Sequence, residues 1–220
     1  MIECLVPSVV ATAETRGDVL DIQLFPEEER SLGRAVEKRR REFVTGRACA
    51  RRALEKLGVA SAAIPSGRNG EPVWPPGVVG SITHCARYRA CAVARLGEVA
   101  SIGIDAEPNA PLPDGVLEDV AFGTELELAA ADWPVQMDRL LFSAKEAVYK
   151  AWFPLARRWL GFEDVELHVD MKSRTFCARL LLPGPVIDDV QLTAVPGTWC
   201  VEHGMICTAV VLSMTDATGA

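Results

Sequence analysis

The order of predicted secondary structure repeats once along the 220-residue chain, and this repeat limits the folds open to it. In the first half, a helix predicted from Pro26 to about Leu57 precedes the strand-like segments GVVGSITH, YRACAVARL and SIGID. In the second half, a helix at about 138–152 precedes FEDVELHVD, TFCARLLL, VQLTAV and a closing hairpin turning near His203 and Gly204. The repeat predicts an α+β pseudo-dimer of two similar subdomains, each a small antiparallel sheet packed on helices, with the active site between them.

An acidic segment between the halves, punctuated by Pro111, Pro113 and Gly115, indicates a linker followed by a short helix at about 124–131. We therefore expect an N-terminal subdomain at 1–106 and a C-terminal subdomain at 107–220. The first long helix should bury a stripe at helical spacing and end near Gly58. That stripe consists of Val36, Phe43, Ala50, Leu54 and Leu57.

Charge and hydropathy narrow the class of protein. The formal net charge of -7 argues against nucleic acid as a partner. Glu3 stands where a secretory signal would carry basic residues, and no apolar run is long enough to span a bilayer. We expect a cytoplasmic protein with no membrane association. A strongly basic segment at 38–52 suggests an anionic ligand or an acidic partner.

Two carboxylates, Asp105 and Glu107, end the strand pattern SIGIDAE. Alternate side chains of a strand share a face, so the two carboxylates should emerge side by side. Such a pair suits a hard divalent cation such as Mg²⁺. Taken alone, the segment favours two ordinary surface acids.

The segment FSAKEAVYKAW, at 142–152, carries a third carboxylate. On a helix, Glu146 and Lys150 are neighbours on one face. They could form a surface ion pair, or Glu146 could face the metal while Lys145 and Lys150 bind phosphate oxygens.

Further candidates for phosphate contacts lie in the first half of the chain. Thr83 and His84 end the segment GSITH, where an isolated histidine is more often structural. Arg40 and Arg47 are nearly two helical turns apart and share a face, with Arg39 on an adjoining face. This basic face is either solvated or a phosphate clamp.

Taken in order, GEPVW, SITH, IGIDAE and AKEAVYKA resemble the motif set of the 4'-phosphopantetheinyl transferases that activate siderophore, polyketide and peptide synthetases. The resemblance covers residues 38–161, and the last two motifs are specific when found together at this spacing. Phe142 stands where many members carry Trp, a position typical of packing. Arg68 lies near the position where many members offer a Lys to the coenzyme.

The resemblance implies transfer of the phosphopantetheine arm of coenzyme A to a serine of an acyl, peptidyl or aryl carrier protein, by a monomer using Mg²⁺ or Mn²⁺. The metal ligands would be Asp105, Glu107 and Glu146. Glu146 would also be the general base, with Lys150 and His84 completing the catalytic set. The implied coenzyme-binding residues are Arg39, Arg40, Arg47, Arg68, Thr83, His84, Asp105, Lys145, Glu146 and Lys150.

Two other functions remain open at this stage. One is a non-catalytic module that binds coenzyme A or a carrier protein. The other is a different Mg²⁺-dependent enzyme that acts on nucleotide pyrophosphates. A binding module has no need to keep Asp105, Glu107, Glu146 and Lys150 together, and this favours the transferase.

Overall fold

The computed structural model of the protein describes residues 1–19 and 21–214. Its helices are α1 (Pro26–Leu32), α2 (Glu37–Lys56), α3 (Leu117–Val120), α4 (Thr124–Ala130) and α5 (Met137–Ala156), with 3₁₀ turns at Ile2–Leu5 and Phe162–Asp164. Its strands are β1 (Ala11–Arg16), β2 (Val78–Cys85), β3 (Tyr88–Arg95), β4 (Val99–Pro108), β5 (Val165–Asp170), β6 (Thr175–Leu180), β7 (Val186–Ile187), β8 (Val190–Gln191), β9 (Ala194–Glu202) and β10 (Met205–Ser213). In the described ranges, none of these helices combines the length and apolarity needed to cross a bilayer.

The first half of the chain packs α2 on a three-stranded antiparallel sheet in the order β1-β3-β2. Buried Ala50 and Leu54 of α2 contact buried residues of β3. The expected single helix from Pro26 is instead two helices, because Gly33 ends α1 with a φ of 56°. Val36 precedes α2 and is exposed, so it does not belong to the buried stripe.

The second half packs α5 on a five-stranded antiparallel sheet in the order β4-β10-β9-β6-β5. The β9–β10 hairpin turns at His203 and Gly204, whose φ values are 52° and 73°. Positive φ at both central residues is what a tight hairpin turn of the favoured hand requires. The α+β pseudo-dimer expected from the repeat is confirmed.

Strand β4 joins the two halves. We expected it with the strands that precede it in sequence, yet its backbone pairs with β10 of the second sheet. Strand β2 lies beside it and is linked through side chains. The hydroxyl of Ser81 accepts from the amide of Ile104 at 3.1 Å, and that of Thr83 accepts from the amide of Ala106 at 3.2 Å. The carboxylate-bearing end of β4 is therefore held between the halves.

Candidate functional site

Helix α5 lies directly on β4 because of Gly103. A Cβ atom at this position would be 1.9 Å from the carbonyl oxygen of Ala147 and 2.7 Å from the amide nitrogen of Ala151. Contacts this short cannot be made, so only glycine lets the helix backbone approach the strand so closely. This approach brings the polar face of α5 against the strand that carries Asp105 and Glu107.

The Asp105 carboxylate is buried and is held by three donors from two elements, β2 and α5. Its Oδ1 atom accepts from Lys150 Nζ at 2.7 Å and from the Thr83 hydroxyl at 3.2 Å. Its Oδ2 atom accepts from the Ser143 hydroxyl at 2.8 Å. Burial would lower the pKa of Lys150, but the charge of Asp105 and the hydrogen bond between them raise it overall. Lys150 is therefore firmly cationic.

The Glu107 carboxylate is paired with Arg139, at 2.9 Å from Nη1 to Oε2. The same guanidinium donates to the carbonyl oxygens of Ala110 at 3.1 Å and Pro111 at 2.6 Å, which fixes the segment after β4. Burial, followed by repulsion from Asp105, raises the pKa of Glu107 against the opposing effect of Arg139.

The Glu146 carboxylate is half-buried and differs from the other two. Within residues 1–19 and 21–214, no side chain or backbone amide forms a hydrogen bond or ion pair with it. Burial raises its pKa, Lys150 opposes the shift, and Asp105 adds to it. A carboxylate with a raised pKa and unused lone pairs is suited to accept a proton.

These three acids offer only oxygen donors, the ligand type that Mg²⁺ and Mn²⁺ prefer. Repulsion from Asp105 raises the pKa of both Glu107 and Glu146, and a bound cation would relieve that repulsion. The donor chemistry therefore fits a divalent cation. In the described part of the chain, however, no group of three or more His, Cys, Asp or Glu side chains is arranged to hold a metal. Lys150 and Arg139 neutralise Asp105 and Glu107 in the structure.

A cleft of about 580 Å³ lies between the halves and receives Glu146 and Lys150. Its walls come from the loop before β2, from β2 and the start of β4, and from α5. It combines a polar end with an apolar wall, which suits a long ligand of mixed polarity. The apolar wall includes Val73, Trp74, Val79, Ile82, Leu96, Tyr149 and Phe153.

His84 lies against Arg39, with 2.9 Å between His84 Nε2 and Arg39 Nη1, and its Nδ1 atom is 3.8 Å from Glu42. Burial lowers the pKa of His84, Glu42 opposes the shift, and the positive charges of Arg39 and Lys150 lower it further. Arg39 is exposed. Because arginine can only donate, His84 Nε2 accepts from Arg39, and the remaining N–H groups of Arg39 can bind an anion.

The other candidate arginines lie in different surroundings. Arg40 forms two hydrogen bonds with Glu29, at 2.7 and 3.1 Å. Arg47 is buried over the ring of Phe43 and donates from Nε to the carbonyl oxygen of Ile64 at 2.6 Å. Burial lowers the pKa of Arg47 to about 10. Arg68 is exposed in the loop before β2.

Lys145 and Thr83 were expected to bind coenzyme A, and in the structure their polar groups are bonded to other parts of the protein. The ammonium group of Lys145 donates to Glu125 Oε2 at 2.7 Å, and to the carbonyl oxygens of Val120 and Phe162 at 2.8 and 2.9 Å. These acceptors use its three donors on the far side of α5, so its position is structural. The Thr83 hydroxyl is likewise committed, to Asp105 and to the amide of Ala106.

Two residues of the site, Arg139 and Ser143, were missed by the sequence analysis. With Glu146 and Lys150 they are spaced four, three and four residues apart, which places all four on one face of α5. That periodicity was available in the sequence. The spacing alone does not identify these residues as part of the site, because the sequence does not show that Asp105 and Glu107 pack against this face of α5.

Comparison with known proteins agrees with the motif resemblance. Residues 27–94 match the 4'-phosphopantetheinyl transferase N-terminal domain, and residues 101–201 match the 4'-phosphopantetheinyl transferase superfamily. The chain is 48% identical to 4'-phosphopantetheinyl transferase Svp of Streptomyces mobaraensis, over 99% of this chain and 92% of that protein. It is 47% identical to Npt of Nocardia iowensis (96% and 99% covered) and to PptT of Mycobacterium tuberculosis (92% and 92% covered), both also named 4'-phosphopantetheinyl transferases.

Proposed function

Because the chain belongs to the 4'-phosphopantetheinyl transferase superfamily, and is thus a transferase that moves phosphopantetheine from coenzyme A to carrier proteins, we propose that the cleft beside α5 carries out this reaction with Mg²⁺. The observation that carries the proposal is the juxtaposition of Glu146, Lys150 and buried Asp105 at the junction of the halves. The acceptor is the serine hydroxyl of an acyl, peptidyl or aryl carrier protein.

In this proposal, coenzyme A lies in the cleft with its phosphates near the polar end. Arg39 is supported as a phosphate ligand because it is exposed and keeps further N–H donors for an anion, and His84 accepts from Arg39 and holds it at this position. Arg47 and Arg68 remain candidates for the 3'-phosphate. Arg40 would first have to leave Glu29.

Asp105, Glu107 and Glu146 would hold the Mg²⁺ ion, or Mn²⁺ in its place. When bound, the ion neutralises charge on the pyrophosphate oxygens and on the departing 3',5'-adenosine bisphosphate. Their oxygen donors and mutual repulsion support this assignment. Lys145 has no part in it, because its donors are used on the far side of α5.

The protein groups then act as follows. Glu146 accepts the proton of the carrier serine hydroxyl, whose oxygen forms a bond to the phosphorus that bears pantetheine. The bond from that phosphorus to the bridging oxygen breaks, and 3',5'-adenosine bisphosphate leaves. Lys150, kept cationic by Asp105, donates a hydrogen bond to the phosphoryl oxygens as their charge develops.

The test is to incubate the protein with coenzyme A, Mg²⁺ and an apo carrier protein, and to weigh the carrier by mass spectrometry. A transferase gives a carrier heavier by one phosphopantetheine. A binding module leaves the carrier and the coenzyme unchanged. A pyrophosphate hydrolase cleaves coenzyme A while the carrier mass stays the same. Either of the last two results would refute the proposal.

The proposal also includes the subdomain boundaries, the oligomeric state and the location of the protein in the cell. We propose that the subdomains span 1–106 and 107–220, with β4 contributed by the first to the sheet of the second. We also propose a cytoplasmic monomer, since coenzyme A and the carrier proteins of biosynthetic synthases are found in the cytoplasm. Light scattering would measure the mass in solution, and fractionation of cells would measure the location.

A further inference from the structure

The two oxygens of the Asp105 carboxylate are held in different ways. Oδ1 has two donors, Lys150 Nζ and the Thr83 hydroxyl, whereas Oδ2 has a single donor, the Ser143 hydroxyl. A carboxylate can accept about four hydrogen bonds or ligands. Oδ2 therefore keeps capacity for one more ligand, and Ser143 alone sets its direction among the described residues.

Ser143 is fully buried inside α5, where a serine usually bonds to the carbonyl four residues earlier in its own helix. Its hydroxyl instead leaves the helix to reach Asp105. The Ser143 hydroxyl is also 3.0 Å from the hydroxyl of Thr208, which donates to the Ser143 carbonyl oxygen at 2.9 Å. Thr208 lies opposite Asp105 in the β10–β4 register, so it holds the serine from the neighbouring strand.

The hydrogen bonds to Asp105 restrict the terminal torsion of its side chain, which would otherwise vary over a broad range. Rotation of a carboxylate about its terminal bond is broad and has no sharp minimum. Donors on both oxygens, from β2 and from two turns of α5, hold the Asp105 carboxylate in one plane. Removing the Ser143 donor would free Oδ2 while leaving Oδ1 bound.

We infer that Ser143 is a positioning residue of the transferase, holding the Asp105 carboxylate in the orientation in which it would bind the divalent cation. The inference rests on the proposed function, because it needs Asp105 to be a metal ligand. Residues that orient a ligand in this way typically change metal affinity by about 10- to 100-fold when they are replaced.

A matched control is available in Ser101. Its hydroxyl is equally buried and also anchors α5, by donating to the carbonyl oxygen of Ala151 at 2.7 Å. It makes no contact with Asp105. Ser143→Ala and Ser101→Ala thus each remove one buried hydroxyl bonded across the same helix–strand interface, and only the first touches the carboxylate.

The experiment measures Mn²⁺ binding by electron paramagnetic resonance for wild type and both variants, without carrier. Because Ser101 lines the cleft, coenzyme A is kept at a concentration that saturates each protein. Ser143→Ala should raise the Kd for Mn²⁺ by about 10-fold or more, and Ser101→Ala should leave it unchanged. The loss of transfer activity in Ser143→Ala should shrink as Mg²⁺ is raised. Ser143→Cys, which keeps the size and a weak donor, should lie between Ser143→Ala and wild type, and it replaces Ser143→Ala if that variant does not fold.

Equal Mn²⁺ affinity in Ser143→Ala and wild type would overturn the inference, as would equal losses in the two alanine variants. Failure of wild type to bind Mn²⁺ would do the same. The proposed function fails separately, when wild-type protein leaves the apo carrier unmodified. A wild-type enzyme that modifies the carrier, with a Ser143→Ala variant that binds Mn²⁺ normally, would remove only the role of Ser143.

Discussion

Two lysine–carboxylate pairs on α5 have the same length and opposite surroundings. Lys150 bonds to Asp105 and Lys145 bonds to Glu125, each at 2.7 Å. In the closed pair, Lys145–Glu125, both side chains are 1% exposed. In the open pair, Lys150–Asp105, the lysine is 27% exposed and borders the cleft. Distance alone therefore does not separate a structural pair from a functional one.

The two pairs differ in how many further hydrogen bonds or ligands their side chains can accept or donate. Every donor of Lys145 is taken, and Glu125 also accepts from the amides of Phe122 at 2.9 Å and Leu167 at 2.7 Å. Burial lowers the pKa of Lys145 against the opposing effect of Glu125, whereas Asp105 raises the pKa of Lys150. The closed pair ties α5 to α4 and β5. The open pair keeps a cation and a carboxylate available to a ligand.

The largest effect is expected from breaking the open pair at its carboxylate. Asp105→Asn keeps the size and most hydrogen bonds but removes the charge that a metal needs, and Glu107→Gln does the same two residues further along β4. Both variants should stay folded and form no detectable holo carrier. Circular dichroism and carrier mass would be measured together. Wild-type rates in both variants at low Mg²⁺ would contradict the metal site.

The closed pair should respond in stability instead. Lys145→Met leaves Glu125 buried without its cation, and breaking a buried ion pair in this way typically costs about 3–5 kcal/mol. Lys150→Met should cost less, because Lys150 is 27% exposed beside the cleft and a partly exposed ion pair contributes less to stability than a buried one, yet it should lose most transfer activity. Urea unfolding and single-turnover transfer would be measured for both. An equal decrease in the free energy of unfolding for Lys145→Met and Lys150→Met would mean that the two pairs do not differ as described.

Glu146→Gln tests the carboxylate beside the open pair, which has no hydrogen-bond partner among the described residues. Gln keeps the shape but cannot accept a proton, so kcat should fall by about 100-fold or more with little change in coenzyme A binding. A base works when deprotonated, so activity should fall as pH drops through the raised pKa of Glu146. The wild-type profile should therefore have an acidic limb that is absent from the profile of Glu146→Gln.

Titration calorimetry and single-turnover kinetics across pH would measure both effects. The matched variant is Glu42→Gln, near His84 but outside the proposed base role. An acidic limb that persists unchanged in Glu146→Gln would assign it to another group.

The smallest effect is expected from replacing Arg47. This residue is buried like the closed pair, yet it is proposed to bind coenzyme A. One charge-assisted hydrogen bond contributes about 1.5–3 kcal/mol, or roughly ten- to a hundred-fold in affinity. Arg47→Ala should raise KM for coenzyme A by about that factor, with little effect on kcat. Dephospho-coenzyme A, which lacks the 3'-phosphate, should lose little further affinity in this variant.

Arg40→Ala is the matched control, because Arg40 lies on the same helix as Arg47 but is bonded to Glu29 of α1. Additive losses with dephospho-coenzyme A would mean that Arg47 acts as a structural residue, through its hydrogen bonds to the Ile64 carbonyl and the Ser66 hydroxyl.

Much of this protein could be predicted from local spacing along the chain. Helical periodicity located α2, α4 and α5, and alternation located the β2–β3 and β9–β10 hairpins, because those patterns depend on near neighbours. The motifs IGIDAE and AKEAVYKA were sufficient to identify the family. Strand β1 was missed because it forms only by pairing with β3, whereas the break at Gly33 is a local glycine cap that the helical spacing around it concealed.

Which polar side chains share the site depends on how distant parts of the chain pack together. Lys145 and Lys150 are indistinguishable by residue type and lie on one predicted helix, but the rotation of α5 about its axis sends one to Glu125 and the other to Asp105. That rotation is set by the close approach of α5 to β4 at Gly103. Likewise, Thr83 and Ser143 are ordinary hydroxyl residues in sequence, and the meeting of β2, β4 and α5 places both on one carboxylate. The helices, the strands and the residue types they carry can be predicted from the sequence because they depend on near neighbours. Which charges pair depends on how these elements pack against one another.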